Sequence, residues 1–163
     1  MSFSVDHVYG YGFQVDFGDE KFDEKKFFKF LKDHKETISQ FYDGERIIEF
    51  IEQDKLDLDE FCEKFAERES IENYGYNAAQ NIIADIMTKE TDVRFSFQLD
   101  METDNTFIMF TECMPWLLNR VEKNLTEDEL HNLCVMYMRD AGIPAEEQYA
   151  GELIGMQKVE YFG

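Results

Sequence analysis

The stretch Arg94–Glu112 reads RFSFQLDMETDNTFIMFTE, and its change of period decides the fold class. Phe95, Phe97 and Leu99 alternate with Ser96 and Gln98, and a second apolar run with Phe107 and Met109 follows the polar turn Glu102–Asn105. Strand side chains point to opposite faces in turn, so Arg94–Met101 and Thr106–Glu112 read as the two arms of a hairpin. In this reading Phe95, Phe97 and Leu99 lie against Phe107, Met109 and their neighbours.

On the amino-terminal side the period is helical. Asp23 caps a helix running to about Lys35, and Asp43 caps another running to about Gln53. Asp57 with Glu60 makes a capping-box start for a third near Leu58–Arg68, which places Leu58, Phe61, Cys62, Phe65 and Ala66 on one side. A fourth helix spans about Asn77–Thr88 and is buried through Ala79, Ile82, Ile83 and Ile86. Beyond the hairpin, Pro115 opens a helix where its missing amide is harmless. Thr126 with Glu129 starts a longer one, striped by Leu130, Leu133, Cys134, Tyr137 and Met138, and Gly142 and Pro144 end it. Val5–Phe17 alternates and tolerates Gly10 and Gly12 as a strand, and the tail Glu152–Phe162 is extended. The expected architecture is α+β: one domain over 1–163, with a small, mostly antiparallel sheet built from both termini and the central hairpin. About five or six helices pack on it.

The chain has 163 residues with 36 acidic and 16 basic side chains, a formal charge of −20. Sixteen Phe and eight Tyr supply core enough for independent folding, which separates this chain from acidic disordered sequences. A polyanion of this density repels nucleic acid and anionic membrane and attracts basic protein surfaces. No apolar run approaches the roughly 18 residues of a membrane span, and the amino terminus has no basic region followed by an apolar stretch, so a cytoplasmic protein is expected. Three cysteines without dense spacing argue for reduced thiols.

Charge is unevenly distributed. Residues 1–35 carry seven acids and six bases, whereas 36–90 hold fifteen acids and the remainder fourteen. Six of the eleven lysines lie between Lys21 and Lys35, interleaved with Phe27, Phe28, Phe30 and Leu31. That spacing is a lysine-coated amphipathic helix rather than a nucleic-acid surface.

Few residues form a chemical signature. Asp100, Glu102 and Asp104 begin like a calcium loop, but Asn105 and Thr111 stand where glycine and glutamate are needed, so a solvated turn explains them. Tyr9–Gly12 lacks the lysine that closes a phosphate loop. Cys62, Cys113, His131 and Cys134 could form a closed Cys3His set for structural zinc, with His131 and Cys134 three apart on one helix face. Ordinary core packing of the same cysteines is the alternative. His7 and His34 read as surface or core-edge residues. No nucleophile motif occurs, and no carboxylate pair stands out from 36 candidates, so a non-enzymatic protein is expected.

The acidic surface is densest from Asp54 to Glu72. Asp54, Asp57, Asp59, Glu60, Glu63 and Glu67 are the candidate partner-binding residues, and Glu60, Glu63 and Glu67 have the spacing of a negative helix stripe that can imitate a row of phosphates. Solubility is the plainer explanation of such a stripe. In size, acidity, α+β pattern and lack of a catalytic motif, the chain resembles phage-encoded anti-CRISPR proteins, and also the acidic immunity proteins that neutralise nuclease toxins. The resemblance is one of type, so no binding residues carry over. It implies an inhibitor whose carboxylates pair with the Lys and Arg of a basic nucleic-acid-handling protein, such as a CRISPR effector nuclease. An adaptor binding through an apolar surface around Tyr74, Tyr76, Trp116 or the amino-terminal tyrosines is the alternative from another class.

Overall fold

The computed structural model describes residues 5–15, 23–68, 77–100, 106–110, 126–143 and 154–162. Within them the protein is α+β: six α-helices pack on a four-stranded antiparallel sheet. The strands are β1 (Val5–Val15), β2 (Phe95–Leu99), β3 (Thr106–Phe110) and β4 (Ile154–Phe162), in the order β2-β3-β1-β4. The two chain ends therefore pair with each other, Val5 opposite Phe162 through Phe13 opposite Ile154, and β1 joins them to the central hairpin. Gly12 is needed where β1 passes β3, since a Cβ there would lie 2.0 Å from the Ile108 carbonyl oxygen.

The hairpin pairs as expected, but its facing is shifted. Phe95 lies opposite Phe110 and Phe97 opposite Ile108, while Phe107 faces Gln98 and Met109 faces Ser96. The reason is burial on both faces: Phe107, Ile108, Met109 and Phe110 are all buried, so alternation cannot reveal which pair faces β2. Phe110 and Ile108 join the main core with Tyr11, Phe13, Val15 and Ile154, whereas Phe107 and Met109 make a separate small cluster.

The helices are α1 (Glu24–Asp33), α2 (Lys35–Ile38), α3 (Gly44–Ile51), α4 (Leu58–Lys64), α5 (Asn77–Thr91) and α6 (Glu127–Asp140), with a 3-10 turn at Ala66–Arg68. Asp23 caps α1 by accepting the Lys26 amide at 3.1 Å, yet α1 stops at Asp33, short of the expected Lys35, and α2 follows after His34. Both halves of the capping box between Thr126 and Glu129 are present at α6. Gly142 has φ +79 just past α6, a left-handed conformation that favours glycine, and a Cβ there would meet the Asp23 carbonyl oxygen at 2.4 Å. The Asp23 amide donates to the Gly142 carbonyl at 3.1 Å, so the end of α6 is fastened to the start of α1.

Phenylalanine builds the centre of the helical layer. Phe61 is fully buried and meets Phe27, Phe28, Phe50 and Phe65 at ring-centroid separations of 5.6, 6.2, 5.6 and 4.9 Å, mostly edge to face. Such pairs add about 0.5–1.5 kcal/mol each beyond the area they bury. The expected helix near Leu58–Arg68 does bury Leu58, Phe61, Cys62 and Phe65, but it ends at Lys64 and leaves Ala66 exposed on the 3-10 turn. No helix among the described residues is long and apolar enough to cross a membrane.

Candidate functional site

The acidic surface is built on α3 and α4, which meet through Phe50 against Phe61 and Phe65. With Ile47, Phe50 and Ile51 turned inward, helical geometry forces Glu45, Glu49 and Glu52 outward at spacings of four and three. On α4 the same logic turns Asp59, Glu60 and Glu63 outward. Between Glu45 and Glu67 there are nine exposed carboxylates and three exposed cations, Arg46, Lys55 and Lys64.

The six residues singled out from sequence are all exposed but not equivalent. Asp54 sits in the connection between the helices. Asp57 is the cap of α4, accepting the Glu60 amide at 3.1 Å. Asp59, Glu60 and Glu63 lie on α4 itself. Glu67 is on the 3-10 turn and accepts from Arg46 at 2.5 Å, so the stripe Glu60–Glu63–Glu67 is not continuous on one helix. Arg46 also lies over the Phe65 ring, 5.3 Å from its centroid. Sequence reasoning passed over the companion row Glu45, Glu49 and Glu52, whose spacing was the available signal.

A buried ion cluster holds this helix pair. Asp43 stands at the start of α3, but its carboxylate makes no cap bond, contrary to the expectation for that residue. It is turned inward to take a two-pronged pair of bonds from Arg68, Nε to Oδ2 and Nη2 to Oδ1, both 2.6 Å. Arg68 Nη1 donates to Asp85 Oδ2 at 2.5 Å and to Asn81 Oδ1 at 3.1 Å, both on α5. Only 1% of the Arg68 and Asp43 side chains is exposed, against 45% for Asp85. Burial by itself would lower the guanidinium pKa, and the bonds to Asp43 and Asp85 outweigh it, so the net shift is upward and the charge is retained. Phe41 and Tyr42 cover the guanidinium at 5.4 and 5.5 Å. Arg68 thus closes the segment 43–68 on itself and pins it to α5.

A second cluster ties three helices. Glu90 of α5 accepts from Thr37 Oγ1 at 2.6 Å and from Tyr137 OH at 2.7 Å, and its Oε2 lies 2.5 Å from His34 Nδ1. Burial raises the Glu90 pKa, but these three bonds together bring it below the ordinary value. Tyr137 moves the opposite way, upward, through burial and then the Glu90 carboxylate. His34 also packs on Phe30, with ring centroids 4.3 Å apart. The hydrogen bonds to Glu90 make it a helix lock.

Of the zinc candidates, Cys62 on α4 and Cys134 on α6 are buried in the apolar core, and His131 is half-buried on α6. Cys113 lies outside the described residues. Burial pushes the Cys134 thiol up to about 12, so it is protonated at neutral pH, unsuited to act as a nucleophile. Among the described residues no group of three or more His, Cys, Asp or Glu side chains is arranged to hold a metal ion. Asp100 of the supposed calcium loop is buried, and Glu102 and Asp104 lie outside the described residues, as do Tyr74, Tyr76 and Trp116 of the apolar alternative. No protein-family model, no curated protein and no solved structure matches this chain.

Proposed function

We propose that the protein is a non-enzymatic inhibitor that binds a basic nucleic-acid-handling protein, such as a CRISPR effector nuclease, and blocks its access to DNA or RNA. The observation that carries this reading is the pair of exposed acidic rows, Glu45/Glu49/Glu52 and Asp59/Glu60/Glu63, on packed helices. Carboxylates on a rigid support meet a cationic groove without first losing side-chain or backbone freedom on the scale of a flexible tail. The remaining charge of a chain at −20 speeds encounter with a basic partner and discourages its anionic substrate. No metal is required, and a structural zinc would be an addition to the same mechanism. An immunity protein acting on a nuclease toxin would use the same surface against a different target.

The test is inhibition of DNA or RNA binding by purified CRISPR effector nucleases and nuclease toxins, read by electrophoretic shift at low and moderate salt. The expected result is inhibition that weakens as salt rises and falls at least tenfold when Asp59, Glu60 and Glu63 become Asn, Gln and Gln. Neutralising Glu45, Glu49 and Glu52 should act in the same direction. Inhibition that survives both sets of changes overturns the acidic-face mechanism. Salt-insensitive capture of a protein that handles no nucleic acid would move the protein to the adaptor class.

A further inference from the structure

The ion cluster around Arg68 is not balanced in charge. One guanidinium faces two carboxylates, Asp43 through both of its oxygens and Asp85 through one, so one negative charge is left over. Asp43 is sealed in the interior, whereas the Asp85 side chain is 45% exposed, which puts the surplus at the surface end of the cluster. Asp85 Oδ2 takes the bond from Arg68, and Oδ1 accepts none among the described residues.

An aromatic ring stands open beside this carboxylate. Tyr42 is 78% exposed, more than any other large apolar side chain among the described residues. Its backbone is nevertheless held on both sides: Phe41 packs against the core, Asp43 is buried, and the Gly44 amide closes the turn onto the Phe41 carbonyl at 3.0 Å. The Tyr42 ring covers the Arg68 guanidinium at 5.5 Å, and Asp85 bonds the same guanidinium from α5, so ring and carboxylate share one patch. Glu45, exposed on the first turn of α3, adds to its negative character, while the neighbouring Arg46 is committed to Glu67.

We propose that Tyr42 and Asp85 form a docking site for one arginine side chain of a basic protein partner, its guanidinium plane on the open face of the Tyr42 ring and its N–H edge on Asp85 Oδ1. A second guanidinium cancels the charge that Arg68 leaves over. Arg68 makes both of these contacts from the inner side, so ring and carboxylate are already spaced for a guanidinium. A planar guanidinium stacks on an aromatic face and forks onto a carboxylate in one pose, whereas the compact, strongly hydrated ammonium of lysine makes a point contact. Tyrosine on a firm support is also a residue type that dominates binding at protein interfaces. The proposal rests on the reading of this protein as the binder of a basic partner, and it adds the residue that the partner presents and a contact outside both acidic rows.

The experiment is an NMR titration of the isotope-labelled full chain with end-blocked tetra-arginine and tetra-lysine peptides, which carry equal charge. Tetra-arginine should bind about two- to fivefold more tightly, the worth of an exposed cation on an aromatic face, and should shift the backbone signals of Tyr42 and Asp85. Tyr42→Ala should erase that preference and leave tetra-lysine affinity unchanged, Asp85→Asn should narrow it, and Tyr42→Phe should keep it. Tyr42→Leu retains apolar bulk over Arg68 without a π face, so it should also erase the preference, and it serves if Tyr42→Ala does not fold. Equal affinity of the wild type for the two peptides overturns the proposal, as does a preference that survives Tyr42→Ala or Tyr42→Leu. A preference lost in Tyr42→Ala supports the site even where neutralising the acidic rows leaves nuclease inhibition intact. A preference intact in Tyr42→Ala overturns it even where those row variants abolish inhibition.

Discussion

Replacing Arg68 by Met should destabilise the protein more than any surface change, because the substitution strands a buried carboxylate. Met keeps much of the volume of the arginine stem but none of its donors, so Asp43, with 1% of its side chain exposed, loses both of its 2.6 Å bonds from Arg68. Removing one partner of a buried pair costs about 3–5 kcal/mol, most of it the penalty of an uncompensated charge. Asp85 can turn to water, being 45% exposed, and adds little. For a chain of this size each kcal/mol moves the midpoint by roughly 2–4 °C, so a fall in Tm of roughly 6–20 °C is expected. Urea denaturation of wild type, Arg68→Met, Asp43→Asn and the double variant completes a cycle. The double variant should be less destabilised than the two single losses added together, by about 2–3 kcal/mol. A loss below about 1 kcal/mol for Arg68→Met, or additivity within about 0.5 kcal/mol, would refute the assignment of Arg68 as the clamp of the acidic helix pair.

Glu90→Gln tests the three-helix lock through pH. The Glu90 pKa lies below its ordinary 4.5 in the folded protein, so its contribution is complete above that value and is lost as pH falls through the lowered one. The stability gap between wild type and Glu90→Gln in urea should therefore be larger at pH 6 than at pH 3.5, and a gap that stays constant or widens in acid contradicts the lock. In a Cys113→Ser background, Cys134 should resist Ellman's reagent at pH 8 until the protein is unfolded, since its thiol pKa is about 12 and it is fully buried; rapid labelling of Cys134 in the native state, mapped by mass spectrometry, contradicts this. Gly142→Ala should cost about 1–3 kcal/mol in thermal or urea unfolding, from the left-handed backbone and the contact with the Asp23 carbonyl; a neutral substitution there would mean that the α6–α1 junction yields freely.

Local periodicity determined much of this protein before any tertiary contact is considered. The α+β class, the extended segments near both ends and the central hairpin, the caps at Asp23, Asp57 and Thr126, and the apolar stripes of α4, α5 and α6 follow from side-chain spacing within ten residues or so. The exposed positions of Asp54, Asp59, Glu60 and Glu63 were legible for the same reason. Tertiary structure alone decided what depends on residues far apart in the chain. The hairpin facing was invisible because β3 is buried on both sides, and the break after α1 was not marked by a proline or glycine. Asp43 carries the composition of a helix cap, yet Arg68, twenty-five residues later, captures its carboxylate in the interior. Arg68 itself looked like one base in an acidic run. A side chain's ionic partner is set by which helices pack together, and that packing is fixed by the shared phenylalanine core rather than by the spacing of charges along the chain.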